Sequence, residues 1–365
     1  MRRIAFASLF LVLAACSKDK EVNPPAELVD FRQTLAVERA WDASVGGGDA
    51  ALRLGLGATV VGDRVYAAGH GGEIAAFALA NGRALWQTKT KAPLAGSTGA
   101  DATLVVAGSS QGEVIALSGE SGSVLWRVRV RGEVLSAPLV APTAVVVRTV
   151  DGRLVALARE DGHELWSVEQ QIPRLTLRGV AAPVLAGDVV LCGFDNGKVV
   201  GASLRDGSVL WETAVAPPRG RTELERLSDI DSRVLVSGDN VFAVGFQGRI
   251  AMLALDTGQI WWSRDLSSYR GLALDGDHLY ISTAEGDVVA MDSRTGGEVW
   301  RQKALAYGAL SAPAVIGNHV VVADFEGYVH FLDKSTGEIA ARVKSGGTRV
   351  SNPPVVADST VIVIN

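Results

Sequence analysis

A short pattern recurs along this chain: a glycine, nine residues, a second glycine, three residues and a tryptophan. The clearest copy runs from Gly152 through Gly162 to Trp166. Between the glycines apolar and polar residues alternate, as they do in a half-buried strand. The second glycine follows Asn, Asp, Ser or Thr and is typical of a tight turn that needs a positive φ. Each copy therefore predicts a β-hairpin. The other copies end at Trp86, Trp126, Trp211, Trp262 and Trp300, and a seventh copy has Ala341 in place of the tryptophan.

Successive copies begin 38 to 51 residues apart, a period typical of β-propeller blades with four strands each. Residues 37–45, which include Trp41, match the last strand of a blade, and residues 350–365 match the first two strands. These two fragments complement each other. The sequence therefore predicts an all-β chain, an eight-bladed β-propeller closed by pairing of N-terminal and C-terminal strands. By the repeat spacing, a further glycine-led strand is due shortly after Asn365.

The repeated tryptophans have a structural interpretation. An indole at a fixed place on each outer strand is expected to pack between neighbouring blades. Trp261 lies next to Trp262 on the opposite face of its strand, so it is expected to point toward solvent or a loop. The expected structural tryptophans are Trp41, Trp86, Trp126, Trp166, Trp211, Trp262 and Trp300.

Composition and motifs exclude several classes of function. The net charge is −5 and no Lys/Arg cluster occurs, which argues against a nucleic acid as the main partner. The two cysteines are too few for a disulfide scaffold, and Cys192 lies in an apolar run that predicts burial. The chain has no zinc-protease, phosphate-loop or serine-hydrolase motif, and its five histidines fall in different repeats. We therefore expect no enzymatic activity, no metal and no cofactor.

The N-terminus has the layout of a secretory signal. Two arginines precede an apolar run of about a dozen residues, too short to span a bilayer. The segment Leu13-Ala14-Ala15-Cys16 resembles a bacterial lipobox, which implies cleavage before Cys16 and attachment of acyl chains, including palmitate, there. The alternative is an ordinary signal peptide with an incidental cysteine. The expected division is a signal peptide at residues 1–15, a lipid-anchored flexible tether at 16–30 and the propeller at 31–365.

The hairpins resemble the repeats of pyrroloquinoline-quinone (PQQ) dehydrogenases, which share an eight-bladed ring. This chain lacks the adjacent cysteine pair of those enzymes and is much shorter. With the lipobox, the repeats instead resemble the BamB family, lipoprotein subunits of the outer-membrane β-barrel assembly (BAM) machinery. That resemblance implies a location on the periplasmic face of the outer membrane of a Gram-negative bacterium. It implies docking on the periplasmic POTRA domains of BamA, with unfolded outer-membrane proteins as clients.

Two segments make this resemblance more specific. They lie in the two longest repeats, which begin at Gly152 and Gly197. Insertions in a repeat protein fall in loops on one rim, where binding surfaces are usually built. The BamB family has similar segments that contact BamA, and the matching residues are therefore the expected contact set. The leucines alternatively belong to an inward-packing strand, and the aspartates alternatively serve as turn residues. The expected contact residues are Leu175, Leu177, Arg178, Asp229 and Asp231.

Three functional hypotheses remain at this point. The first is a non-enzymatic scaffold that docks on BamA and assists the folding and insertion of β-barrel proteins. The second is a periplasmic PQQ-dependent oxidoreductase, against which the missing cysteine pair counts. The third is an adaptor for some other envelope partner, since a propeller does not specify its function.

Overall fold

The computed structural model of the chain describes residues 23–46, 55–177, 179, 181–347 and 349–365. Residues 1–15, Cys16 and Arg178 lie outside the described residues, so the predictions made for them concern parts of the chain on which the structure is silent. All regular elements of the described part are β-strands. A search of that part for a helix of sufficient length and apolarity to cross a membrane finds none.

Seven antiparallel four-stranded sheets, blades 1 to 7, follow one another along the chain. Blades 1 to 4 contain β1 Thr59–Val61, β2 Arg64–Ala68, β3 Glu73–Ala78, β4 Ala84–Lys89, β5 Gly99–Ala100, β6 Leu104–Gly108, β7 Glu113–Ser118, β8 Val124–Arg129, β9 Leu139–Val140, β10 Ala144–Arg148, β11 Arg153–Ala158, β12 Glu164–Glu169, β13 Val184–Ala186, β14 Val189–Gly193, β15 Lys198–Ser203 and β16 Val209–Ala214. Blades 5 to 7 contain β17 Leu235–Ser237, β18 Asn240–Val244, β19 Arg249–Ala254, β20 Ile260–Asp265, β21 Leu272–Asp275, β22 His278–Ser282, β23 Val288–Asp292, β24 Glu298–Gln302, β25 Ala314–Ile316, β26 His319–Ala323, β27 Tyr328–Asp333 and β28 Ile339–Lys344. A separate two-stranded sheet follows, made of β29 Val355–Ala357 and β30 Thr360–Ile362.

The predicted hairpins are the third and fourth strands of the blades, and their turn glycines have the expected positive φ, 78° at Gly162 for example. The alternation expected between the glycines is only partial. In β11 five consecutive residues, 154–158, are buried, because a third strand has a neighbouring blade on each face. The fourth strands β8, β12 and β16 do alternate, and the residue before the tryptophan position is a β-bulge in every blade.

The repeated tryptophans join each blade to the next. The Trp166 indole lies over the turn at Gly207 in blade 4 and donates its Nε1 hydrogen to the Leu204 carbonyl at 2.9 Å. A Cβ at position 207 would overlap the indole, so this turn requires glycine for space as well as for its φ of 72°. The same indole-to-carbonyl bond is made by Trp41, Trp86, Trp126, Trp211, Trp262 and Trp300.

The prediction of eight blades closed by paired terminal strands is wrong, because the structure has seven four-stranded blades. The β29–β30 sheet lies between blades 7 and 1, where β29 contacts β25 and β1. No third strand is described beside β30, so the N-terminal segment at 37–45 has no adjacent strand with which to pair. Since one strand spacing is about 4.8 Å, a segment one place further out lies beyond hydrogen-bonding reach of β30. Within the described residues, this segment is accordingly not a strand.

The N-terminal segment nevertheless crosses the junction between blades 7 and 1. The backbone nitrogens of Thr34 and Leu35 donate to the Ala340 carbonyl at 2.9 and 3.2 Å, and Leu35 packs in the cluster that buries Ala341. Further along, Trp41 packs on Gly82 of blade 1. Ala341 stands where other blades have tryptophan, and Leu35 and Val37 of the segment pack on the cluster that contains it. An indole there would occupy the space of the crossing chain.

Candidate functional site

The two inserted loops lie side by side on one rim of the ring. Residues 170–183 connect β12 to β13, and residues 215–234 connect β16 to β17. Both follow the outer strand of a blade, so in antiparallel sheets both leave from the same end. A hydrogen bond joins them: the Leu177 backbone nitrogen donates to Asp229 Oδ2. The two over-long repeats therefore build one surface between blades 3, 4 and 5, here called the docking surface.

The second loop is fixed to the ring by its own apolar residues. Leu227 and Ile230 are buried, and Ile230 belongs to the core between blades 4 and 5. The Ile230 nitrogen donates to the Phe194 carbonyl at 3.3 Å, and the Phe246 nitrogen donates to the Asp229 carbonyl at 2.9 Å. Asp229 therefore has a fixed position between the two blades.

The first loop presents two leucines to solvent. The side chains of Leu175 and Leu177 are 42% and 40% exposed, and the residues around them form no strand. The alternative of an inward-packing strand is thus not what the structure shows. The sequence interpretation missed Leu224 of the second loop, which is 64% exposed. The sequence feature that could have revealed Leu224 was its position as an apolar residue among the charged residues of the insertion.

The two aspartates are more buried than the leucines and contact the first loop. Asp229 is completely buried, and its carboxylate holds the backbone of the first loop. Asp231 is partly buried, and a Cβ on Gly179 would overlap its carboxylate, so the first loop passes against this side chain as well. Asp229 therefore positions Leu177, and Asp231 leaves room only for a glycine at position 179.

A buried ionic cluster underlies the docking surface. Arg148, at the end of β10, is fully buried and lies 3.4 Å from Asp195 Oδ2. Its guanidinium also lies 4.3 Å from the centre of the Phe194 ring. The carboxylates of Asp195, Asp229 and Asp231 come within 4.8 Å of one another. The sequence interpretation missed Arg148 and Asp195, although a charged residue that ends the apolar run Ala144–Arg148 is the signal of a buried pair.

Burial sets the protonation of these carboxyls. Loss of hydration raises the pKa of Asp229 to about 6, the Leu177 N–H opposes the shift, and the charge of Asp195 adds to it. Burial, with the charges of Asp229 and Asp195, raises the pKa of Asp231 well above its usual value. Cys192 is buried as the sequence predicted, and burial raises the pKa of its thiol to about 12, which makes it an inert thiol.

The three carboxylates are the only such group in the described part of the chain that could share a metal ion. Calcium takes six to eight oxygen ligands, and here a buried arginine already supplies a positive charge to Asp195. We therefore assign this cluster a structural role in supporting the loops.

Comparison with known proteins identifies the family. The family model described as outer membrane protein assembly factor BamB matches residues 33–98, 72–302 and 284–365. The chain belongs to the BamB family. BamB of Pseudomonas aeruginosa is 47% identical over 315 residues, which are 86% of this chain and 83% of the relative. BamB of Bordetella pertussis is 38% identical over 97% of this chain and 92% of its own.

Solved structures agree with this assignment. The crystal structure of BamB from Moraxella catarrhalis has a TM-score of 0.79 at 28% identity and covers 84% of this chain and 92% of its own. A quinohemoprotein alcohol dehydrogenase from Pseudomonas putida has a TM-score of 0.68 at 13% identity, over 86% of this chain and 70% of its own, and therefore shares the fold alone. The family is named for an assembly factor, which is not an enzyme, and the oxidoreductase hypothesis gains no further support.

Proposed function

We propose that this chain is an assembly factor for outer-membrane β-barrel proteins and that it docks on the POTRA region of BamA through its docking surface. The observation that carries the proposal is a pair of exposed leucines on a loop whose backbone is fixed by a buried carboxylate. Exposed apolar anchors on a preordered loop suit protein binding, because little conformational entropy remains to be lost. The relatives named as BamB, an outer membrane protein assembly factor, support the choice of this assembly machinery as the source of the partner.

The residues divide into two roles in this proposal. Leu175 and Leu177 are the apolar anchors, and Arg178 is the expected polar contact beside them. Asp229 and Asp231 hold the loop in its binding conformation. A non-enzymatic role is consistent with this division, since binding requires only that the surface keep its shape.

The lipid anchor is part of the same proposal. Acyl chains on Cys16, palmitate among them, attach the ring to the periplasmic face of the outer membrane, and more than one chain is needed for stable attachment. BamA bound there is an integral partner in the same membrane, so anchoring raises the effective concentration of the docking surface. The expected result is an assembly scaffold that delivers or orients unfolded β-barrel clients for insertion.

A pull-down from detergent-solubilised envelopes tests this function. Tagged wild-type protein is expected to recover BamA, whereas the L175E/L177E variant is expected to lose it. The matched control is V209E/L210E, which places the same charges on residues that are 45% and 52% exposed on the outer strand of blade 4. Equal recovery by wild type and L175E/L177E, or recovery of a different protein by the wild type, contradicts the proposal.

A further inference from the structure

A groove between blades 5 and 6 lies on the rim opposite the docking surface. It has a volume of about 740 Å³ and is lined by the turn after β17, the end of β19, the outer strand β20 and the turn between β23 and β24. Turns after first and third strands leave one end of an antiparallel sheet, and the loops of the docking surface leave the other. Its main lining residues are Asp239, Asn240, Asp256, Trp261, Arg294 and Thr295.

Two corresponding grooves in the same ring contain a cation of the chain itself. Between blades 2 and 3, Arg159 reaches Asp101 Oδ2 at 2.5 Å and the Thr103 hydroxyl at 2.7 Å. Between blades 6 and 7, Lys334 reaches Asp275 Oδ2 at 2.5 Å. Each cation extends from the residue just after a third strand toward the first turn of the preceding blade. The ring therefore accepts a positive side chain at this kind of position.

The groove between blades 5 and 6 is open because the equivalent residue is small. In blades 3 and 7 the residue whose carbonyl accepts the tryptophan indole is Arg159 or Lys334. In blade 6 the carbonyl that accepts the Trp262 indole, at 3.0 Å, belongs to Ser293. A serine side chain is too short to cross the groove. The turn opposite carries Asp239, two residues after Ser237, which stands where blades 2 and 6 have Asp101 and Asp275.

The charges of the groove favour a cation from outside. Asp239 and Asp256 are exposed, and neither forms an ion pair within the described part of the chain. Arg294, on the far wall, already lies 3.8 Å from Asp277 and 3.7 Å from Asp292. The carboxylates that face the open space are therefore available to a ligand.

An exposed aromatic residue forms the outer wall. Trp261 is 56% exposed, whereas its neighbour Trp262 is buried between the blades. Trp261 occupies the bulge of β20, which turns its side chain out of the sheet. A free indole face binds cations and apolar side chains, and it is a frequent anchor in protein interfaces.

We propose that this groove binds an arginine or lysine side chain from an extended segment of a partner protein, with a neighbouring apolar residue of that segment packed on Trp261. The cation enters the space that Ser293 and Ser237 leave open and faces Asp239 and Asp256. Because the groove and the docking surface lie on opposite rims, both can be occupied at once. The ring then has one surface for a fixed partner and a second for an extended chain.

Fluorescence anisotropy with two labelled peptides tests the proposal. One ten-residue peptide carries two arginines and two phenylalanines in a Ser/Gly background, and the other carries glutamates in place of the arginines. The wild type is expected to bind the arginine peptide, and W261A and the D239N/D256N pair are each expected to weaken binding roughly fivefold or more. The matched controls are L210A, at the same bulge position of blade 4, and D188N, at the equivalent turn of that blade; both are expected to bind as the wild type does.

A complementary variant fills the groove from within. S293R places in blade 6 the side chain that blade 3 has at this position, and it is expected to exclude the arginine peptide, while S293A is not. Circular dichroism of each variant checks that the ring is folded, and W261A remains informative if S293R does not fold. Failure of the wild type to bind the arginine peptide, equal binding of both peptides, or equal binding by wild type and W261A overturns the proposal.

Discussion

Replacing Trp166 by alanine tests how the blades are held together. The indole is only 8% exposed, packs on Gly207 of the next blade and donates a hydrogen bond of 2.9 Å to the Leu204 carbonyl. Removing such a buried ring costs about 3–5 kcal/mol, and the carbonyl left without its donor adds about 1 kcal/mol. The free energy of unfolding is therefore expected to fall by roughly 4–6 kcal/mol.

Thermal denaturation followed by circular dichroism measures this change. An unfolding entropy of about 2.1 cal/mol/K per residue gives roughly 0.7 kcal/mol/K for a ring of this size, so the midpoint is expected to fall by roughly 6–9 °C. The control is L165A, because Leu165 is the adjacent bulge residue and is 45% exposed; its midpoint is expected to shift by about 1 °C or less. W166F, which keeps most of the ring and loses the hydrogen bond, is expected to lie between the two. Equal shifts for W166A and L165A refute the account of blade docking.

Two further predictions concern the N-terminal segment and the buried carboxyl group of Asp229. W41A is expected to lower the midpoint of thermal denaturation, although Trp41 lies outside any strand. Its indole donates to the Leu79 carbonyl at 2.8 Å and packs on Gly82. An unchanged midpoint contradicts the role of the N-terminal segment in closing the ring. D229N is expected to gain stability at pH 7, since burial raises the folded-state pKa of Asp229 to about 6, above the value of about 3.9 in an unfolded chain. Protonation of Asp229 then favours the folded state, so the wild type loses stability as the pH rises from about 4 to 6. The D229N variant lacks this loss. Identical pH profiles of the thermal midpoint for wild type and variant contradict the raised pKa of Asp229.

The repeat itself was predictable from sequence because its determinants are local. A turn glycine with positive φ and an apolar third strand reveal a hairpin without any knowledge of the neighbouring blade, as at Gly162. The number of complete blades was not predictable in this way. Residues 37–45 look like a fourth strand, but a strand exists only when a partner lies beside it, and no third strand is described next to β30.

The candidate site was predictable in position and only partly in mechanism. Extra length in two repeats located both loops, and the exposed leucines follow from that location. The burial of Asp229 was not predictable, because an acidic residue in a polar loop is usually solvated. Here the loop is fixed between blades 4 and 5, and the first loop contacts the carboxylate through Leu177. The groove beside Trp261 is open because blade 6 has Ser293 at the position where blade 3 has Arg159. Only a comparison between blades reveals this difference.

Site-specific photocrosslinking in intact cells tests the central claim most directly. A photoreactive amino acid at position 175 is compared with one at position 210, which is similarly exposed on the outer strand of blade 4, outside the two loops. If the docking surface binds BamA, position 175 gives a crosslinked product that contains BamA and position 210 does not. A BamA product from position 210 alone, or from neither position, contradicts the assignment of partner and surface.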